Sequence, residues 1–309
     1  MKFSEDHRLA AFSRFATLLI FPSGWTASTR GNDAMMFSIS NIALPAFDHA
    51  DDFGRLVEFG LDGIEVAPSR VWRDTWHELT TVEVFDYRQR IENAGLGVVG
   101  LHSLFYDQPE LGLFKEPALR VRSLDFLQHM SKVCRDLGGR TLVYGGGRQR
   151  GDLPQDEAKA ETVRFFQELS VRIESHGTCF CLEPMGPEDS DFINSAFEAM
   201  AIVEAVGHPA LRTQLDAKAL VENGEAARKT FEAAAPTLVH FHANEPGLGV
   251  LGSTGQVDHA ALGTMLREIG YEGYVSIEQR MGSEKDPLAD IEISAAMLKR
   301  YYDGEGSCR

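Results

Sequence analysis

Eight short apolar runs recur along this chain, and each stretch between them is long enough for a helix. Apolar runs of about four to eight residues indicate buried strands, and strands that alternate with helical segments indicate βα units with a parallel sheet. The runs occupy residues 36–43, 63–67, 97–101, 140–144, 178–182, 212–215, 238–241 and 273–277. The repeated order of strand and helix predicts an α/β protein.

Several helical segments end in a glycine just before the next run, where a residue in the left-handed conformation is often needed. Segments 48–59, 118–137 and 157–176 also carry apolar residues at helical spacing. The glycines are Gly60, Gly95, Gly138, Gly177, Gly207 and Gly270. This order predicts a single-domain (β/α)8 TIM barrel over residues 36–309. An open doubly wound sheet is disfavoured, because no Gly-x-Gly-x-x-Gly motif opens a helix.

Four consecutive runs in the second half each end in a side chain that can bind a metal ion. In a βα barrel, the carboxyl ends of the strands meet at one mouth. Buried carboxylates are costly unless they are paired or bound to a cation. The four residues are Glu183, Asp216, His242 and Glu278. They predict a site for one divalent metal ion, for which Mn²⁺, Mg²⁺, Co²⁺ and Zn²⁺ are all candidates.

The composition disfavours several kinds of partner. A net charge of −16 argues against nucleic acid and against an anionic membrane surface. No apolar run reaches the roughly 18 residues of a transmembrane helix. The four cysteines follow no zinc or disulfide spacing, so we interpret them as free thiols and expect a cytoplasmic protein.

Residues 1–35 precede the first convincing strand. An apolar stretch near the start faintly resembles a targeting peptide, but Glu5, Asp6 and Arg14 interrupt that pattern. Met36 begins the first run. We expect an N-terminal extension that is loosely ordered or that results from a start codon placed too far upstream.

Short motifs lie at the ends of these runs, and their order and spacing are more specific than any one of them. They are Ser38-Ile39-Ser40-Asn41-Ile42-Ala43, Gly63-Ile64-Glu65-Val66-Ala67-Pro68, Gly100-Leu101-His102-Ser103, Leu182-Glu183-Pro184, Leu215-Asp216, Val239-His240-Phe241-His242-Ala243-Asn244 and Ser276-Ile277-Glu278. On these residues, the chain from about 36 to 303 resembles the xylose isomerase-like TIM-barrel superfamily. That superfamily includes sugar phosphate isomerases and epimerases and the family-2 AP endonucleases.

The resemblance implies that Glu183, Asp216, His242 and Glu278 bind the metal ion and that the partner is a small-molecule sugar substrate. In the ketose 3-epimerases of this superfamily the two glutamates also transfer protons, so Glu183 and Glu278 are the expected catalytic pair. A divalent cation makes the C–H next to a carbonyl acidic. Proton removal through a metal-stabilised enediolate, followed by proton return, gives epimerisation or isomerisation. The expected function is a metal-dependent isomerase or epimerase of a sugar or sugar derivative.

Two positions depart from the ketose 3-epimerase pattern. Ala219 stands three residues after Asp216, where those enzymes carry a histidine. Leu248 stands six residues after His242, where they carry a substrate-binding arginine. Substrate recognition is therefore expected to differ from theirs.

Three residues near the strand ends are further candidates for substrate binding. His102 is expected at the mouth, and Glu65 is expected to contact a sugar hydroxyl or to orient His102. His240 is expected one layer deeper, as a substrate contact or a second-layer contact. The simpler alternative is a hydrogen-bonded rim histidine for His102 and a core histidine for His240.

Three basic residues are candidates for holding an anionic or oxidised substrate end. Arg148 and Arg150 follow the fourth predicted strand in a glycine-rich segment, and Lys218 follows the sixth. Arginine suits phosphate and carboxylate groups. The alternative is that all three are solvated surface charges.

Other functions stay open at this point. A lyase that dehydrates, decarboxylates or cleaves a C-glycoside of an oxidised sugar would begin with the same proton abstraction. An AP endonuclease-type nuclease would need a more basic surface and more histidines, and a non-catalytic subunit would not need all four ligands. A homo-oligomer is compatible with the sequence.

Overall fold

The computed structural model of the protein describes residues 35–282 and 286–304. Within these ranges it contains eight strands. They are β1 (Met36–Ser40), β2 (Gly63–Val66), β3 (Gly97–Leu101), β4 (Thr141–Tyr144), β5 (Cys179–Leu182), β6 (Leu211–Asp216), β7 (Leu238–Ala243) and β8 (Tyr274–Ile277). Each corresponds to a predicted run. Apart from Met35, the predicted N-terminal extension lies outside the described residues.

The eight strands form a closed parallel barrel in which each strand pairs with its neighbours in sequence. β1 and β8 close the barrel, with Phe37 opposite Val275 and Ser38 opposite Ser276. The predicted (β/α)8 TIM barrel is therefore confirmed. Closure removes the sheet edges and brings the carboxyl ends of all eight strands to one mouth.

The α-helices of the described residues follow the strands in order. They are α1 (Phe53–Glu58), α2 (Thr81–Ala94), α3 (Pro117–Leu137), α4 (Gln155–Ile173), α5 (Ala196–Val206), α6 (Ala217–Glu222), α7 (Arg228–Ala234), α8 (His259–Glu268) and α9 (Pro287–Tyr302). The helix predicted at 118–137 matches α3. Those predicted at 48–59 and 157–176 are shorter, because the 3-10 turns Ala50–Asp52 and Glu174–His176 take one end of each. No helix in this part of the chain is long and apolar enough to cross a membrane.

Local sequence explains where the helices begin and end. Gly95 and Gly138 follow α2 and α3 with φ of 94° and 90°, the left-handed conformation that glycine adopts readily. The other predicted helix-ending glycines also have positive φ. At the start of α2, Thr80 and Glu83 form a reciprocal capping box, which satisfies N–H groups that have no partner within the helix.

Alternation along β7 separates the apolar core from the barrel interior. The ring of Phe241 lies near Phe231 of α7 and Tyr302 of α9, so it faces the helices. His240 and His242 flank it in sequence and therefore face the interior, because successive side chains of a strand point to opposite sides. The apolar core thus lies between the strands and the helices, while the interior of the barrel carries polar groups.

Candidate active site

The four predicted metal ligands lie together. One donor atom from each of Glu183, Asp216, His242 and Glu278 lies within 4.8 Å of the others. Nδ1 of His242 lies 3.1 Å from Oε1 of Glu183 and 3.4 Å from Oε2 of Glu278. It lies 3.6 Å from Oδ2 of Asp216. An imidazole nitrogen therefore faces three carboxylates at one point.

The strand register brings these side chains together. Asp216 ends β6 directly opposite His242 on β7. Glu183 and Glu278 follow β5 and β8, and their N–H groups still donate to carbonyls of β4 and β7 at 3.3 and 3.0 Å. All four side chains therefore lie at the carboxyl-terminal end of the barrel.

Two neutral side chains that were not predicted as site residues hold the carboxylates. Nδ2 of Asn244 donates to Asp216 at 2.6 Å and to Glu278 at 2.9 Å. Nε2 of Gln214 donates to Glu183 at 2.9 Å. Each amide lies two residues along the chain from a predicted ligand. This spacing could have predicted that both amides lie near the ligands, because residues two apart in a strand share a face.

Glu65 lies within the barrel interior and is fully buried. Its Oε2 lies 3.0 Å from Nε2 of His242 and accepts a hydrogen bond from Ser276 at 2.9 Å. Its Oε1 lies 3.0 Å from Nε2 of His240, although the atoms are not aligned for a hydrogen bond. Glu65 therefore contacts His242 rather than His102, because its side chain points across the interior, and among the described residues it does not line the cavity.

His102 and His240 occupy different environments. His102 lines a cavity, its Nε2 lies 2.5 Å from the Ser40 hydroxyl, and its Nδ1 lies 3.6 Å from Oε1 of Glu278. His240 is fully buried beside Glu65, and burial lowers its pKa. Of the two, only His102 reaches the cavity, whereas His240 lies in a deeper layer.

The electrostatics of the cluster depend on burial and on close charges. Burial raises the pKa of Glu183. Burial also opposes the charge of Glu278, but His242 and His102 together outweigh it and hold the pKa of Glu278 well below its usual range. Burial alone would lower the pKa of His242, yet Glu65 and Glu278 raise it well above its ordinary value. So many carboxylates need positive charge nearby, and this oxygen-rich donor set with one imidazole suits a divalent cation.

A cavity of about 450 Å³ opens beside the cluster. Glu183, Glu278 and His102 contribute to its wall. Other parts of the wall are aromatic, from Phe105, Tyr106, Phe114 and Tyr144. Its volume is within the range of small-molecule sites, and apolar walls with a few polar groups are typical of such sites.

Gly145 packs directly against Glu183. A Cβ atom at Gly145 would lie 2.1 Å from Oε2 of Glu183, closer than any real contact. The next residue, Gly146, has no atom within 4 Å of the equivalent position. Glycine at 145 therefore allows the backbone to approach the carboxylate closely.

The two arginines after β4 are bonded within the protein. Arg148 is only 1% exposed, and its guanidinium donates to the carbonyls of Tyr144 and Ile193 at 3.2 and 3.1 Å. Arg150 donates to the carbonyl of Leu153 at 2.6 Å. Neither side chain is among those described as lining the cavity. The geometry therefore does not favour the expected role of Arg148 and Arg150 as anion contacts.

The charge of Lys218 is neutralised by nearby carboxylates. Its ammonium pairs with Asp189 and lies 3.3 Å from Glu222. The N–H of the neighbouring Ala219 donates to the Asp216 carboxylate at 2.8 Å, so Asp216 caps the start of α6. Within the described residues Lys218 does not line the cavity, and its expected role as a substrate contact is not favoured either.

Comparison with known proteins gives one family and several relatives. Residues 53–301 match the family model of the xylose isomerase-like TIM barrel. The chain is 29% identical over 178 residues to the L-ribulose 3-epimerase of Methylomonas sp. strain DH-1, covering 56% of this chain and 61% of that one. It is 26% identical over 258 residues to the putative hydroxypyruvate isomerase of Homo sapiens, covering 80% and 87%. The match thus spans less than two thirds of the Methylomonas protein.

Solved structures share the fold. The D-psicose 3-epimerase of Clostridium cellulolyticum H10, solved with D-tagatose, aligns with a TM-score of 0.74 at 18% identity and covers 87% of this chain and 100% of that one. The 3-keto-D-glucoside 4-epimerase of E. coli aligns with a TM-score of 0.73 at 20% identity and covers 86% and 99%.

Proposed function

Because the chain belongs to the xylose isomerase-like TIM-barrel family, we propose that it is a divalent-metal-dependent isomerase or epimerase of a sugar or sugar derivative. The observation that carries the proposal is the meeting of Glu183, Asp216, His242 and Glu278 beside a cavity. Relatives named as sugar epimerases and isomerases support this class of enzyme. Those names include neutral ketoses and one acid, hydroxypyruvate, so they leave the charge of the substrate open.

In this proposal the cation is held by the four clustered side chains, Glu183, Asp216, His242 and Glu278. A bound divalent cation polarises a carbonyl and the hydroxyl beside it, which makes the neighbouring C–H more acidic. Three carboxylates suit Mn²⁺ or Mg²⁺, and the imidazole also admits Co²⁺ or Zn²⁺. Glu65 supports the site, because Nε2–H of His242 can donate to it and leave Nδ1 free to bind.

We assign proton transfer to Glu183 and Glu278, since both carboxylates border the cavity. Asp216 is held by Asn244 and by the start of α6, so its role is to bind the cation. One glutamate removes the proton from the substrate carbon, and the other returns a proton. Return to the opposite face gives an epimer, and return to the neighbouring carbon gives an isomer. We assign His102 to a substrate hydroxyl, because it lines the cavity beside Glu278.

A metal-titration and turnover experiment tests the proposal. The purified protein is titrated with Mn²⁺ by calorimetry and then incubated with ketopentoses, ketohexoses, hydroxypyruvate and ketose phosphates, with products identified by NMR. We expect one Mn²⁺ per chain and an isomer or epimer of one substrate class that forms with Mn²⁺ and not with excess chelator. Failure to bind a divalent cation, or turnover that chelation leaves unchanged, would contradict the proposal. A dehydrated or decarboxylated product would indicate a lyase.

A further inference from the structure

The cavity beside the acidic cluster has a single basic side chain of the lysine or arginine type among the described residues that line it. That side chain is Lys115, in the loop between β3 and α3. A Cβ atom at Gly112 would lie 3.1 Å from Cε of Lys115 and 2.4 Å from the carbonyl oxygen of Gly147. The lysine stem therefore folds back toward the place where the loops after β3 and β4 meet.

Within residues 35–282 and 286–304, the side chain of Lys115 forms no ion pair or hydrogen bond with another residue. The basic residues after β4 and β6 differ from it in this respect. Arg148 and Arg150 donate to carbonyls, and Lys218 pairs with Asp189. In a chain with a net charge of −16, Lys115 is thus a cation that lines a cavity and is not bound to any carboxylate of the described residues.

The cavity therefore has two kinds of charge on its wall. Glu183 and Glu278 supply negative groups suited to a cation, and Lys115 supplies a positive group on the loop that precedes α3. Phe105 and Phe114 also line it, and apolar walls strengthen the attraction between opposite charges by excluding water. A neutral sugar would leave the ammonium of this half-buried lysine without an ionic partner, whereas an anionic group would supply one.

We propose that Lys115 binds an anionic group of the substrate, so that the substrate is a hydroxycarbonyl compound that also carries a carboxylate or a phosphate. This inference rests on the proposed function and assigns its substrate class. In this proposal Lys115 determines the specificity, instead of the basic residues after β4 and β6. A contact made equally to substrate and transition state mainly affects KM.

The test uses three matched substrates: a neutral ketose, the same ketose with a terminal phosphate, and the same ketose with a terminal carboxylate. Solvent deuterium exchange into each is followed by NMR for the Mn²⁺-loaded wild type, Lys115→Met and Lys115→Arg. We expect the wild type to prefer one anionic substrate at least about tenfold in kcat/KM, which is the ratio that one hydrogen bond to a charged group can supply. Lys115→Met should lose that preference through a raised KM for the anionic substrate, and Lys115→Arg should retain most of it. Which anionic substrate responds distinguishes phosphate from carboxylate.

Lys159→Met, which removes an exposed charge on α4, is the matched control and should behave as the wild type. A wild type that prefers the neutral ketose, or a Lys115→Met variant with unchanged KM for both anionic substrates, would overturn the inference and leave the proposed function standing.

A separate binding measurement keeps the two proposals distinguishable. Inorganic phosphate and propionate are titrated into the wild type, and the Cε methylene signal of Lys115 is followed by NMR, identified by its absence in Lys115→Met. Saturable shifts support the anion site even if no substrate exchanges deuterium, in which case only the proposed function fails. An unresponsive signal with both anions overturns the site.

Discussion

Oε2 of Glu65 lies 3.0 Å from Nε2 of His242, across the interior of the barrel. The two residues stand on β2 and β7, which are not neighbours in the sheet. Ser276 donates a second hydrogen bond to the same oxygen at 2.9 Å. A carboxylate that accepts from one ring nitrogen orients the imidazole and makes the other nitrogen a better metal ligand. Glu65 thus connects the buried interior to the proposed cation site.

Replacement of Glu65 by glutamine should weaken Mn²⁺ binding by roughly 10- to 100-fold, because a neutral amide holds the His242 imidazole less firmly. Calorimetric titration with Mn²⁺ measures the loss, and the Tm of the same sample shows whether the fold is intact. Glu157→Gln, an exposed change on α4, is the control and should bind Mn²⁺ as the wild type does. An intact Glu65→Gln protein with wild-type Mn²⁺ affinity would show that Glu65 does not support the site.

A methyl group at position 145 should displace Glu183. In Gly145→Ala the new Cβ would overlap Oε2 of Glu183, and a misplacement of about 1 Å can lower the rate on the order of 100-fold. Gly146→Ala is a matched control, because its Cβ would meet open space. Steady-state kinetics of both variants should therefore differ strongly. Equal kcat/KM for the two would argue against a close approach of this loop to the reacting carboxylate.

Arg148 is expected to affect stability rather than substrate affinity. Its guanidinium joins the loop after β4 to the carbonyl of Ile193, and burial lowers its pKa only to about 10, so it stays charged at neutral pH. Loss of these charge-assisted hydrogen bonds in Arg148→Met should cost about 2 kcal/mol of unfolding free energy. That corresponds to a Tm lower by roughly 4 to 8 °C. A variant with wild-type Tm and a raised KM for an anionic substrate would restore the hypothesis that Arg148 binds substrate.

The fold was predictable because strand and helix periods are local properties of the sequence. All eight strands, the glycines that follow helices and the meeting of Asp216 with His242 depend on elements that are adjacent in the barrel. Even here β6 and β7 extend beyond the predicted runs, so Asp216 and His242 lie within strands rather than after them.

Contacts across the barrel and between loops were not predictable in the same way. Glu65 meets His242 only because both side chains cross the interior, which depends on strand tilt and side-chain length rather than on sequence spacing. Lys218 is neutralised by Asp189, which comes from a different loop. Asp191, from the loop after β5, accepts from the N–H groups of Arg150 and Gly151 at 2.7 and 2.8 Å and so holds the glycine-rich segment after β4.

Proton exchange at the substrate carbon tests the central claim most directly. The Mn²⁺-loaded wild type, Glu183→Gln and Glu278→Gln are incubated in D2O with the substrate class identified by turnover, and deuterium at the carbon next to the carbonyl is measured by NMR. We predict incorporation by the wild type and a loss on the order of 100- to 10,000-fold in each variant, because an amide is not an effective base. Wild-type exchange in either variant, with Mn²⁺ bound, would show that another residue carries the proton.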